Sequence, residues 1–145
     1  MKALINAIKN KHLVTGIEVC DPATITQIDS FEQKLGFPLP EDFREFYLTC
    51  NGFGCTEDIF NFLSLSAILD QPERGKNWFY FSEYMIYSDM WGVRIINGDQ
   101  YEIFNGSYPE RPLATSLHDF LTIFLEGNIF DAGGIYECQG KLGIG

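Results

Sequence analysis

The chain has 145 residues, of which 46% are hydrophobic and 15% aromatic, a share of apolar surface that a disordered chain does not carry. The length suits one domain, taken here as residues 1–145, with a single core that buries roughly two thirds of the unfolded surface. A formal charge of −10, with nine acids against two bases over residues 21–70, argues against direct binding to a phosphate backbone and favours encounter with a basic protein.

A short helix is expected over residues 2–10, with Leu4, Ala7 and Ile8 on one face, until Thr15-Gly16 breaks the pattern. Thr24 and Gln27 have the spacing of a capping box, and Ile25, Ile28, Phe31 and Leu35 follow at helical intervals up to Gly36. Phe37-Pro38-Leu39-Pro40 is extended, because each proline disfavours helix in the residue before it. Pro40 then suits the first position of a second helix, with Glu41 and Asp42 against its positive end. Phe43, Phe46, Tyr47 and Cys50 form that helix's apolar stripe, and Asn51-Gly52 is the stop.

The pattern then turns to strand. Ile59–Ser64, Trp78–Phe81, Met85–Ser88, Val93–Ile96 and Gln100–Phe104 are aromatic or β-branched segments divided by polar turns. Asn97-Gly98 is the clearest hairpin turn, since both residues accept positive φ. Residues 71–77 and 105–112 read as polar loops. A last helix starts at the cap Ser116, runs through Leu117, Phe120, Leu121 and Phe124, and ends at Gly127. Helices at both ends of a run of strands predict an α+β domain: an antiparallel, meandering sheet of about five or six strands packed with N-terminal helices and a C-terminal helix.

Chemistry is harder to find. The two histidines, His12 and His118, have no Ser or Cys context of a nucleophile pair, and read as surface or helix-cap residues. No phosphate-binding glycine motif occurs. Cys20, Cys50, Cys55 and Cys138 are scattered, and Cys50 and Cys55 lack the second pair that structural zinc needs, so reduced thiols and no cofactor are expected. No stretch resembles a secretory signal or a membrane span, which gives a cytoplasmic expectation without membrane insertion.

The two-helix segment carries something more specific. Ile28, Phe31, Glu32, Leu35, Gly36, Pro38, Leu39, Pro40, Asp42, Phe43, Phe46 and Asn51-Gly52 stand in an order and spacing that resemble the SUKH superfamily. That superfamily includes Smi/Knr regulators of glucan synthesis and bacterial immunity proteins. The distal segment, through Gly127-Asn128-Ile129-Phe130-Asp131 and Gly133-Gly134, is similar too. The resemblance implies a domain without a catalytic site that binds another protein, either a toxin that it occludes or the partners of a regulatory adaptor. Its motif residues are core and turn positions, so they point to a fold and leave the site open.

The charge pattern supplies a candidate site. Asp29, Glu41, Asp42, Glu45, Glu57 and Asp58 would form an acidic face, with exposed rings near Trp78 and Trp91 as anchors, against a basic toxin domain.

Overall fold

A computed structural model describes residues 1–145. Its elements follow as α1 (Lys2–Lys11), β1 (Ile17–Val19), α2 (Ile25–Leu35), α3 (Glu41–Thr49), β2 (Phe53–Cys55) and β3 (Phe60–Phe62). Then come α4 (Leu65–Asp70), β4 (Trp78–Tyr84), β5 (Asp89–Asn97), β6 (Gln100–Asn105), β7 (Pro112–Ala114), α5 (Leu117–Gly127) and α6 (Ile135–Lys141). The seven strands form one sheet in the order β1 to β7, antiparallel at each step, so the α+β meander is as expected.

The helix starts follow their caps. Thr24 accepts from the Gln27 amide while the Gln27 side chain accepts from the Thr24 amide, and α2 ends on left-handed Gly36. Ser116 likewise accepts from the amide of Asp119 at the start of α5. Pro40 is the cap of α3 rather than its first residue, and its extended ψ of 151° turns the chain into the helix. Ile25, expected in the apolar stripe of α2, is exposed; Ile28, Phe31 and Leu35 make that stripe.

Rings from the helices meet rings from one face of the sheet. Phe43 of α3 packs edge-on against Phe79, Phe81 and Tyr101. Phe46 stacks on Phe62 at 4.0 Å, Phe124 of α5 on Phe60 at 4.4 Å, and Phe120 meets Phe81 and Trp91. These contacts form a single core of 32 buried residues in which α2, α3 and α5 share one side of the sheet.

Several expectations change. Met85–Ser88 is not a strand: Met85, Ile86 and Tyr87 all have left-handed φ, of 51°, 50° and 66°, and they make the turn between β4 and β5. Asn97 is paired with Gln100, so the two-residue hairpin loop is Gly98-Asp99, one residue later than expected, with φ of 59° at Gly98. Asn51-Gly52 does not end α3, which stops at Thr49 with Cys50 extended. Gly52 is instead needed because a Cβ there would lie 2.5 Å from the Phe62 carbonyl oxygen. The short strands β1, β2 and β7 and the helices α4 and α6 add to the elements that the sequence predicts.

Candidate functional site

The predicted acidic face is divided by the fold. Asp29 lies on α2 and Glu41, Asp42 and Glu45 on α3. Asp29 is exposed and shares the Arg44 guanidinium, at 3.4 Å, with Glu32 at 2.5 Å. Glu41 and Glu45 are exposed, and Glu45 lies 3.7 Å from the N-terminal amine. Asp42 turns inward: one carboxylate oxygen accepts from the Tyr101 hydroxyl and, at 3.3 Å, from the Leu117 amide. It therefore ties α3 to β6 and to the start of α5.

Glu57 and Asp58 are far along the chain, in the turn between β2 and β3. Asp58 is half-buried; burial raises its carboxyl above the usual value, and the nearby His12 partly offsets this. His12 closes α1, is buried, and has its titration lowered first by burial, with Asp58 acting in the opposite direction.

The two tryptophans part company. Trp91 is fully buried, with its Nε1–H donating to Gln139 Oε1 at 2.9 Å, so it is a core residue and not an exposed anchor. The reason is register. Trp91, Val93 and Ile95 share the face of β5 that looks to the helices, whereas Gly92 and Arg94 point the other way.

Trp78 belongs to that outer face. Tyr80, Gly92 and Phe104 are cross-strand partners there, as are Trp78, Arg94 and Glu102. Trp78 meets Tyr80 edge-on at 5.2 Å, and Phe104 packs against both. Arg94 lies over the Phe104 ring at 5.0 Å and pairs with Glu102 at 3.3 Å. The outer face is thus an aromatic surface that α2, α3 and α5 leave uncovered.

A cleft of ≈ 580 Å³ opens on this face. It is lined by the segment Asp70-Gln71-Pro72-Glu73, by Tyr87, Ser88, Asp89 and Met90, by Tyr80, and by Gly106 and Ser107, with Gly106 beside the Tyr80 ring. Its charged lining is wholly acidic. Burial, and then Glu73, push the Tyr80 phenol above its ordinary value, so Glu73 is felt at the ring. Asp89 is held in place by the Tyr136 hydroxyl at 2.5 Å and the Asn105 amide at 3.1 Å.

The β4–β5 turn forms the lip of the cleft. Glu83, buried on the outer face, accepts from the Tyr87 amide at 2.6 Å and from Asn61 at 2.7 Å, and so clamps the turn. Ile86 projects from it at 78% exposure, between exposed Met85 and Tyr87. Met85 also donates its amide to the Ile59 carbonyl, which brings the exposed Ile59 alongside. Three successive left-handed residues, one of them β-branched, are a costly backbone for a turn that buries little.

No local pattern marks this cleft, because Asp70 and Glu73 are separated from Tyr80 by a loop and from Asp89 by that loop, β4 and its turn. The isoleucine, methionine and tyrosine of the turn read as strand by composition; their exposure depends on a clamp, Glu83, that no local pattern reveals. The chain brings no three His, Cys, Asp or Glu side chains into a group that could hold a metal. All four cysteines are free thiols, and burial pushes those of Cys50 and Cys55 up to about 11 and about 12. No helix is long and apolar enough to cross a membrane.

Comparison with known proteins agrees with the fold. A stretch of 53 residues, 37% of this chain, is 42% identical to the uncharacterized protein YnaB of Bacillus subtilis (strain 168), of which it covers 36%. The chain thus matches about a third of that relative's length. Residues 22–138, which include α2 through most of α6 and the whole sheet except β1, match the SMI1 / KNR4 family (SUKH-1). The chain belongs to the SMI1 / KNR4 family.

Proposed function

We propose that this chain is a non-catalytic binding domain of the immunity type, which neutralises a basic, nuclease-type toxin by occluding it with an acidic surface. The observation that carries the reading is the charge: −10 overall, with the acids concentrated on α2–α3, at the β2–β3 turn and around the outer cleft. A nuclease must hold a phosphate backbone and is basic for that reason, so an acidic inhibitor is complementary to it. Family membership supports a protein partner, and the family's regulatory adaptors supply the alternative reading.

Expression of the chain beside the product of a neighbouring gene tests the proposal. Protection of cells from a toxic, basic product, together with a complex that salt dissolves, is the expected result. Absence of protection, with several unrelated partners recovered from the native cells, favours the adaptor.

A further inference from the structure

The outer cleft and its lip make a more specific statement about the partner, one that rests on the reading of this chain as a binder of a basic protein. The cleft has the size of a site for one or two side chains, and of its three acids Asp89 is engaged by Tyr136 and Asn105 while Asp70 and Glu73 are free. Asp70 and Glu73 take part in none of the ion pairs of the chain, which involve Glu45, Asp29, Glu32, Glu102 and Glu137. The bases that follow in the same loop, Arg74 and Lys76, do not line the cleft, and Arg74 donates to the Leu69 carbonyl at 2.8 Å. Tyr80 offers a ring beside these carboxylates, where a cation gains from both.

The lip adds an apolar element. Ile86 is held out into solvent by a backbone that glycine or asparagine would adopt at less cost, and the clamp from Glu83 fixes it there. An apolar group beside an acidic cleft is complementary to a basic segment that carries an aliphatic or aromatic neighbour.

We propose that the outer cleft is the docking surface for a basic polypeptide segment of the partner, whose arginine or lysine enters among Asp70, Glu73 and Tyr80 while an adjacent apolar side chain packs on Ile86. The acidic face of α2–α3 is then peripheral to the contact.

A blocked tripeptide, acetyl-Leu-Arg-Leu-amide, is the probe, titrated into the isotopically labelled full chain while amide shifts are followed. Its citrulline analogue keeps the shape and removes the charge. Shifts centred on Tyr80, Tyr87, Met90 and Ser107, weaker with citrulline and reduced about tenfold in affinity by Asp70→Asn with Glu73→Gln, are expected. Glu41→Gln with Glu45→Gln should leave them unchanged. Shifts centred on α3, equal response to citrulline, or no shift up to about 20 mM peptide overturns the assignment, since even a millimolar contact saturates there. The two proposals fail separately: protection of cells without cleft shifts removes this docking surface alone, and absence of protection removes the binder reading.

Discussion

His12 lies almost parallel to Phe124, with ring centroids 5.4 Å apart and planes 11° from each other, and so seals α1 onto α5. Its Nε2 is buried without a hydrogen-bond partner, as are Asp58 Oδ2 and Asn128 Oδ1. The groups around the ring are Asp58 and Glu57 from the β2–β3 turn, Asn128 after α5, and its neighbour Lys11. Burial lowers the His12 titration below 6.5, so between that folded value and 6.5 the unfolded chain holds more protons than the folded one. The contribution of His12 is therefore complete above 6.5 and lost as pH falls through the window. Asp58, raised above 3.8, acts with the opposite sign at lower pH. Urea midpoints should fall from about pH 7 to about pH 5 in the native chain and do so less steeply in His12→Phe, which keeps the stacking and removes the titrating nitrogen. Parallel slopes in the two proteins would assign the pH dependence elsewhere.

Charge-reversal experiments on α3 must separate Asp42 from its neighbours. Asp42→Ala leaves the Tyr101 hydroxyl without its carboxylate acceptor, and should cost about 1–3 kcal/mol in urea unfolding. Glu41→Ala and Glu45→Ala, on exposed side chains, should change stability by less than about 0.5 kcal/mol. A loss of binding in Asp42→Lys would therefore report folding as much as contact.

Trp78 and Trp91 should be distinguishable by fluorescence. Trp78→Phe leaves Trp91 as the emitter, and its emission should be blue-shifted and resistant to acrylamide until the chain unfolds. Trp91→Ala should destabilise by about 3–5 kcal/mol, since it opens a cavity and leaves Gln139 with Asn105 as its remaining side-chain donor. An equally quenched pair would contradict the register that places them on opposite faces.

At the cleft lip, Ile86→Asn should raise the thermal midpoint, because asparagine adopts the left-handed conformation with less strain and the exposed isoleucine contributes little burial. The gain should be about 1 kcal/mol. Weaker partner binding in the same variant would show stability given up for contact.

Much of the fold is legible in the sequence where the signal is local. The capping box at Thr24, the stop at Gly36, the cap at Ser116 and the aromatic strands each follow from residues within a few positions of one another. Three-residue strands such as β1 and β7 have too few positions for alternation to appear, and α4 is only six residues long. The burial of Trp91 is hidden from the sequence for another reason. Alternation along β5 says that Trp91 and Gly92 face opposite ways, but which way is inward is decided by the helices that cover the sheet. The outer cleft depends on the same nonlocal choice, and on a bulge between Tyr80 and Ser82 that sets Tyr80 and Glu83 on one face.

The strict neighbour-to-neighbour order of the sheet also bears on how the chain reaches this structure. Every strand finds its partner in the next strand along the chain; β2–β3 and the run from β4 to β7 close over short loops with little loop entropy lost, whereas β1–β2 closes around α2 and α3 and β3–β4 around α4. Both outermost strands are three residues long, and β7 begins with Pro112, which donates no hydrogen bond. A growing or complete sheet therefore offers other chains only brief edges on which to extend, and an acidic, aromatic surface can remain open to a partner without inviting strand-by-strand aggregation.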